Sequence, residues 1–151
     1  MKSKEILLLI SSILLTGFAL NFIWESYHSV FFYTCCTNMS APEHLKLMSY
    51  VSTIDALLIL VGYLLVSSKS GLTWIKEKNR NNYIAFSIIS LFFAVWIEYR
   101  GVYLLEKWSY NTFMPKLLGF GLSPLIQLIL TGLLTFFIVN KLLLSSNKTK
   151  V

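Results

Sequence analysis

Four uninterrupted apolar runs constrain this chain more than any other feature. They are Ile6–Leu20, continuing through Asn21–Tyr33, then Leu47–Ser67, Tyr83–Leu105 and Leu117–Leu144. About 20 helical residues cross the roughly 30 Å hydrocarbon core of a bilayer, and each run meets that length. The runs are continuous rather than alternating, whereas a membrane barrel needs at least about eight short alternating segments. Only 13% of the residues are charged, against roughly 25% in a soluble domain. The expected fold is all-α: one domain over 1–151, an integral membrane four-helix bundle with helices at about 5–30, 46–67, 83–106 and 117–144.

The formal charge of +6 would suit a nucleic-acid partner, but its placement does not. Lys2, Lys4, Lys69, Lys76, Lys78, Arg80, Lys141, Lys148 and Lys150 flank the runs at the N-terminus, the middle loop and the tail. Lys46, Arg100, Lys107 and Lys116 lie in or near the first and third loops. The positive-inside rule then puts both termini and the Ser68–Asn82 loop in the cytoplasm of a multi-pass cell-membrane protein. Nucleic acid is excluded as a partner, and anionic lipid head groups take its place.

Met1–Ala19 has the basic start and small residues of a cleavable signal peptide, but cleavage would strand Leu20–Trp24 as an apolar terminus. Retention is expected. Cys35 and Cys36 are adjacent in the first outer loop, and their redox state is open between free thiols, a strained vicinal pair and a bond to another chain. Paired thiolates also suit soft ions, but no second thiol pair is present to pass one on. Pro42 suits a helix start and would let the second helix begin earlier than 46. Trp74 is expected at the membrane interface, with Trp108 and Tyr110 in an aromatic belt on the other side. Gly119, Gly121 and Pro124 should bend or break the start of the fourth helix.

Ionisable groups at bilayer depth cost at least about 2.5–3.5 kcal/mol each near the centre. The chain nevertheless retains Glu25, Asp55, Glu98 and Arg100 in or beside its runs, with Asn21, His28 and Gln127. Helical rise puts Asn21 about 24 Å above the inner start of helix 1 and Glu25 about 30 Å. Asp55 comes about 12 Å below the outer start of helix 2, Glu98 about 22 Å up helix 3, and Gln127 about 15 Å into helix 4. All gather in the outer half. Asn21, Glu25 and His28 follow i, i+4, i+7 spacing, so they form one stripe. Ser52, Asp55 and Gly62 share a face, as do Ala94, Glu98 and Gly101, and Pro124, Gln127 and Thr131, and such small residues allow close helix contacts.

Interhelical polar contacts stabilise by only about 0.6 kcal/mol on average, so a role as glue does not account for that cost. Glu25, His28, Asp55 and Glu98 are the candidate catalytic groups, because a carboxyl beside an imidazole is a serviceable proton-transfer pair. Asn21, Arg100, Trp108, Tyr110 and Gln127 are candidate substrate-binding residues, Arg100 to pair an acid or hold an anionic head group. A single metal on Glu25, His28, Asp55 and Glu98 is the alternative. Glu25-x-x-His28 has the spacing of carboxylate-bridged metal bundles, but the only other histidine, His44, is in a loop. No cofactor is specified.

Asn21-Phe-Ile-Trp24-Glu25-Ser-Tyr-His28, Asp55-Ala-Leu, Glu98-Tyr-Arg100, Trp108-Ser-Tyr110, Met114-Pro115 and Gly119-Phe-Gly121-Leu-Ser-Pro124-Leu-Ile-Gln127 span nearly the whole chain. In these motifs the sequence resembles a family of small prokaryotic four-helix membrane proteins. The resemblance implies the architecture and points to these positions as the site without naming a reaction. The two-aspartate motifs of lipoprotein signal peptidases are absent, as are those of the sterol-isomerase-like four-helix proteins.

The expected function is binding, and acid/base modification, of a lipid-like or amphipathic substrate in an outer-half polar pocket. Its rim would be Trp108, Tyr110 and Met114, and its floor Leu15, Leu58 and Leu91. The alternatives are a proton-coupled transporter or ion-translocating subunit, and an accessory subunit of a membrane complex. Membrane lipids and the substrate are the expected partners, with a homo-oligomer left open.

Overall fold

The computed structural model describes residues 3–34, 39–77 and 79–144; Cys35, Cys36 and Lys78 lie outside them. Among the described residues the regular structure is helical apart from one small hairpin and an isolated bridge. Helix α1 spans Ser3–Phe32, α2 Ala41–Ser70, and α3 Arg80–Glu98, which continues as a wider π-helical stretch through Tyr99–Leu104. Helix α4 spans Leu122–Val139 and also ends in a π-helical turn, Asn140–Leu144. Among the described residues, four helices are long and apolar enough to cross a membrane. Their outward faces carry large apolar side chains, among them Leu15, Phe92, Trp96 and Phe137.

Helix α2 begins five residues before the 46 expected from hydropathy, because its cap lies in the polar loop. Ser40 donates from its backbone N–H (3.0 Å) and its hydroxyl (2.6 Å) to the Glu43 carboxylate, and Pro42 follows in the first turn. The fourth helix starts at 122, not 117. Lys116–Leu117 (β1) pairs antiparallel with Phe120–Gly121 (β2), turning through Leu118 and Gly119, both at positive φ. Glycine and proline signal the break in helix 4, but cannot specify that a hairpin replaces its first turn.

The two ends of the bundle differ in chemistry. The lower end, nearest the α2–α3 loop, is an aromatic plug of Tyr63, Trp74, Phe86 and Phe136, backed by Leu9, Ile13, Ile59 and Val139. Trp74 is fully buried at this end of the bundle. Its indole N–H donates to Ser67 Oγ at 3.1 Å, and a short 3-10 turn at Trp74–Lys76 tucks the ring under the helices. Tyr83 and Asn140 both donate to the Ile75 carbonyl, at 3.1 and 3.0 Å, and so close the loop onto α3 and α4. At the upper end, residues 105–121 fold over the helices. Asn111 donates to the carbonyls of Phe31 and Phe32, and Tyr33 pairs with Tyr110 as an isolated bridge.

Phe86 sets how closely α3 and α4 approach, since a β-carbon at Gly132 would stand 2.4 Å from its ring. At Gly17 the nearest atom to such a carbon is 3.6 Å away. We expect Gly132→Ala to destabilise the bundle by about 1–3 kcal/mol, the usual scale of overpacking, and Gly17→Ala to be nearly neutral. Denaturant titration in detergent micelles reads both. Equal tolerance of the two would contradict this packing.

Candidate functional site

Gln127 enters the core in the second turn of α4 and is buried. Its side-chain N–H group reaches three oxygens on two other helices. Glu25 Oε1 lies 2.5 Å away, Asn21 Oδ1 3.2 Å and Asp55 Oδ2 3.3 Å. Thr131, one turn further along α4, donates to the same Asn21 oxygen at 3.1 Å, while Asn21 itself donates to the Gly17 carbonyl at 2.8 Å. The i, i+4 stripe of α1 is thus met by an i, i+4 pair of α4, with Asp55 closing the third side.

An amide nitrogen carries only two hydrogens, and here three acceptors surround it. Carboxylates also accept without donating when ionised, so the cluster is short of donors. A proton, a cation or a donor group on a ligand would complete it.

Glu98 is held apart from this cluster but within electrostatic reach of Glu25 and Asp55. It is buried and accepts from Tyr33 Oη at 3.2 Å and, at closer range, from Tyr110 Oη. Burial, and then the Glu98 carboxyl, push both phenols above their ordinary range, so each remains a donor. Trp108 lies over Gly101, where a β-carbon would stand 1.9 Å from its ring, so only glycine fits beneath. Met114 is buried beside Gly121. Trp108 and Tyr110 therefore cover Glu98, and Met114 stands behind Tyr110 at Gly121.

His28 takes a different position. It is 4% exposed, and neither ring nitrogen has a hydrogen-bond partner. Aromatic rings surround it, with Phe32 and Tyr33 centroids each 5.1 Å away. It lines a groove of about 610 Å³ between α1 and α4, whose walls include Leu20, Ile23, Phe31, Leu130 and Leu134. Trp24, whose indole N–H is also unbonded, and Thr131 line the same groove. Through Thr131 the groove touches the polar cluster.

Several expectations change. Arg100 is exposed, and among the described residues no ion pair joins it to a carboxylate. It stands two residues after Glu98, which puts it on the opposite side of the helix. Glu25, His28, Asp55 and Glu98 do not converge as a metal set, and among the described residues no three His, Cys, Asp or Glu side chains do. Leu15 is 71% exposed and Leu91 43%, so neither floors a pocket. The buried face of α3 runs Phe86, Ser90, Ala94, Glu98, and Leu91 is one position off it. Tyr33 was not legible as a Glu98 partner, because it ends an apolar run and nothing periodic marks it.

No family model matches the chain, and no curated protein or solved structure is detectably similar to it.

A buried imidazole with neither nitrogen satisfied costs about 1–3 kcal/mol. We expect His28→Leu to leave thermal stability in detergent unchanged or raise it by about 1 kcal/mol, because the loss of unmet polar atoms offsets the change of shape. A loss of several kcal/mol would mean that His28 holds the fold together.

Proposed function

We propose that the chain is a multi-pass protein of the cell membrane. In this reading it takes the apolar tail of a lipid-like or small amphipathic molecule into the α1–α4 groove. It then acts on the polar end by acid/base chemistry. The observation that carries this reading is His28, buried and unbonded in a largely apolar wall. A neutral imidazole offers one donor and one acceptor, which a hydroxyl, amide or phosphoryl group on a ligand would satisfy together. Thr131 and the donor-poor Glu25–Asp55 cluster behind it would supply or take the proton.

A proton-coupled transporter is the second reading, favoured by that shortage of donors at Gln127. The aromatic plug at the lower end weighs against it, since Tyr63, Trp74, Phe86 and Phe136 pack against one another below the cluster.

The basic residues support an orientation with the lower end in the cytoplasm, as Lys69, Lys76, Arg80 and Lys141 gather there. With Cys35 and Cys36 replaced by serine, a cysteine at Glu106 should react with an impermeant maleimide on intact cells. One at Lys76 should react only after lysis, and the reverse pattern would overturn the orientation.

A diazirine-bearing phospholipid incorporated into the membrane tests the binding site. Crosslinks should concentrate on the groove residues of α1 and α4, above the level on Phe92 and Trp96 of α3, and Leu130→Trp should remove the excess by filling the groove. Equal labelling of both faces sinks the reading.

A further inference from the structure

The polar cluster of the upper half is made of carboxyls, amides and a hydroxyl, with no cation to answer its charge. Glu25 and Asp55 both meet Gln127, and the charges that bear on them are carboxyls again: Glu98 on Glu25, and Glu25 and Glu98 on Asp55. Among the described residues no lysine or arginine acts on any of the three. Gln127 also has only two hydrogens for its three acceptors. The cluster therefore lacks both positive charge and donors. An ionised carboxyl in apolar surroundings is costly unless paired.

The α1–α4 groove runs up to this cluster, and His28 and Thr131 form part of its wall. His28 follows Glu25 by three residues, so the two are neighbours on one face of α1. Thr131 donates to the Asn21 oxygen that Gln127 also reaches. His28 is 4% exposed with both ring nitrogens unbonded, so the neutral imidazole keeps a lone pair for an N–H donor. Glu25 and Asp55 each keep some surface uncovered. The rings of Trp24, Tyr27, Phe31 and Phe32 also line the groove, and among the described residues no cationic side chain does. Aromatic faces attract cations. An anionic head group would meet carboxyls here and no counter-charge.

Resting on the reading of this groove as a site for an apolar tail, we propose that its ligand is an amphiphilic amine. This is a long alkyl chain ending in a protonated primary or secondary amino group. The tail lies in the groove and the ammonium between His28 and Thr131. Its N–H groups donate to the free imidazole nitrogen and to Thr131 Oγ, and the Glu25–Asp55 pair is its counter-charge. An ammonium of this kind brings charge and donors together. A hydroxyl lacks the charge, and a quaternary ammonium lacks the donors.

The test uses the full chain in lipid nanodiscs at neutral pH, photolabelled with the diazirine phospholipid. Four amphiphiles with the same twelve-carbon tail compete for the groove. Dodecylamine carries charge and N–H donors, dodecyltrimethylammonium charge alone, dodecanol no charge, and laurate the opposite charge. Dodecylamine should halve the excess labelling of the groove at a membrane mole fraction at least about tenfold below that of each of the others, the scale of one charged hydrogen bond. Labelling of Phe92 and Trp96 on the lipid-facing side of α3 should respond to none of them. Glu25→Gln should bring dodecylamine to the level of dodecanol and leave dodecanol unchanged. Should that variant fold poorly, the order of the four in the native chain decides. Any of the other three matching dodecylamine, or no competitor acting, would overturn the amine and leave the groove as a lipid site. No excess labelling of the groove before any competitor is added would remove the reading on which the proposal rests, and the proposal with it.

Discussion

The upper half of this bundle depends on one side-chain amide. Gln127 carries the N–H group that joins α4 to Asn21 and Glu25 on α1 and to Asp55 on α2. Removing such a donor would leave buried acceptors facing one another, and at low dielectric an unmet polar group is costly. The network therefore sets which faces of three helices meet. Packing at the other end is of another kind. There the aromatic plug and the folded-back loop hold the helices by shape, with a few hydrogen bonds to carbonyls.

That asymmetry divides the molecule into a lower half packed by aromatic rings and an upper half that holds the buried carboxyls and amides. Glu98 belongs to the upper half but reaches it by another route, through tyrosines supplied by the end of α1 and by the 105–121 segment. The change from α- to π-helical winding comes immediately after it, at Tyr99–Leu104. Such stretches are often found at functional sites. Here it sets Gly101 beneath Trp108 and so lets the roof approach. The roof covers one carboxyl while the other two meet Gln127, and His28 and its neighbours open onto the α1–α4 groove.

Much of this was legible in sequence because membranes simplify the reading. Hydropathy marked four spans, and helical rise together with i, i+4 spacing selected Asn21, Glu25, Asp55 and Gln127 as inward-facing at similar height. The structure brings those four together. Periodicity says nothing about loops, however, so the hairpin at 116–121, the burial of Trp74 and the tyrosines on Glu98 were out of reach. Arg100 misled through its charge. A lone cation near acids invites pairing, yet two residues along a helix is the far side.

The chain has one glutamine and one aspartate, so labelling by amino-acid type labels single sites. Rotational-echo double-resonance NMR between the side-chain ¹⁵N of Gln127 and the carboxyl ¹³C of Asp55, in lipid bilayers, measures the central contact directly. The account predicts strong dephasing, for a nitrogen 3.3 Å from Asp55 Oδ2 and hence on the order of 4 Å from its carboxyl carbon. Dephasing no greater than in a sample without the ¹³C label would contradict it.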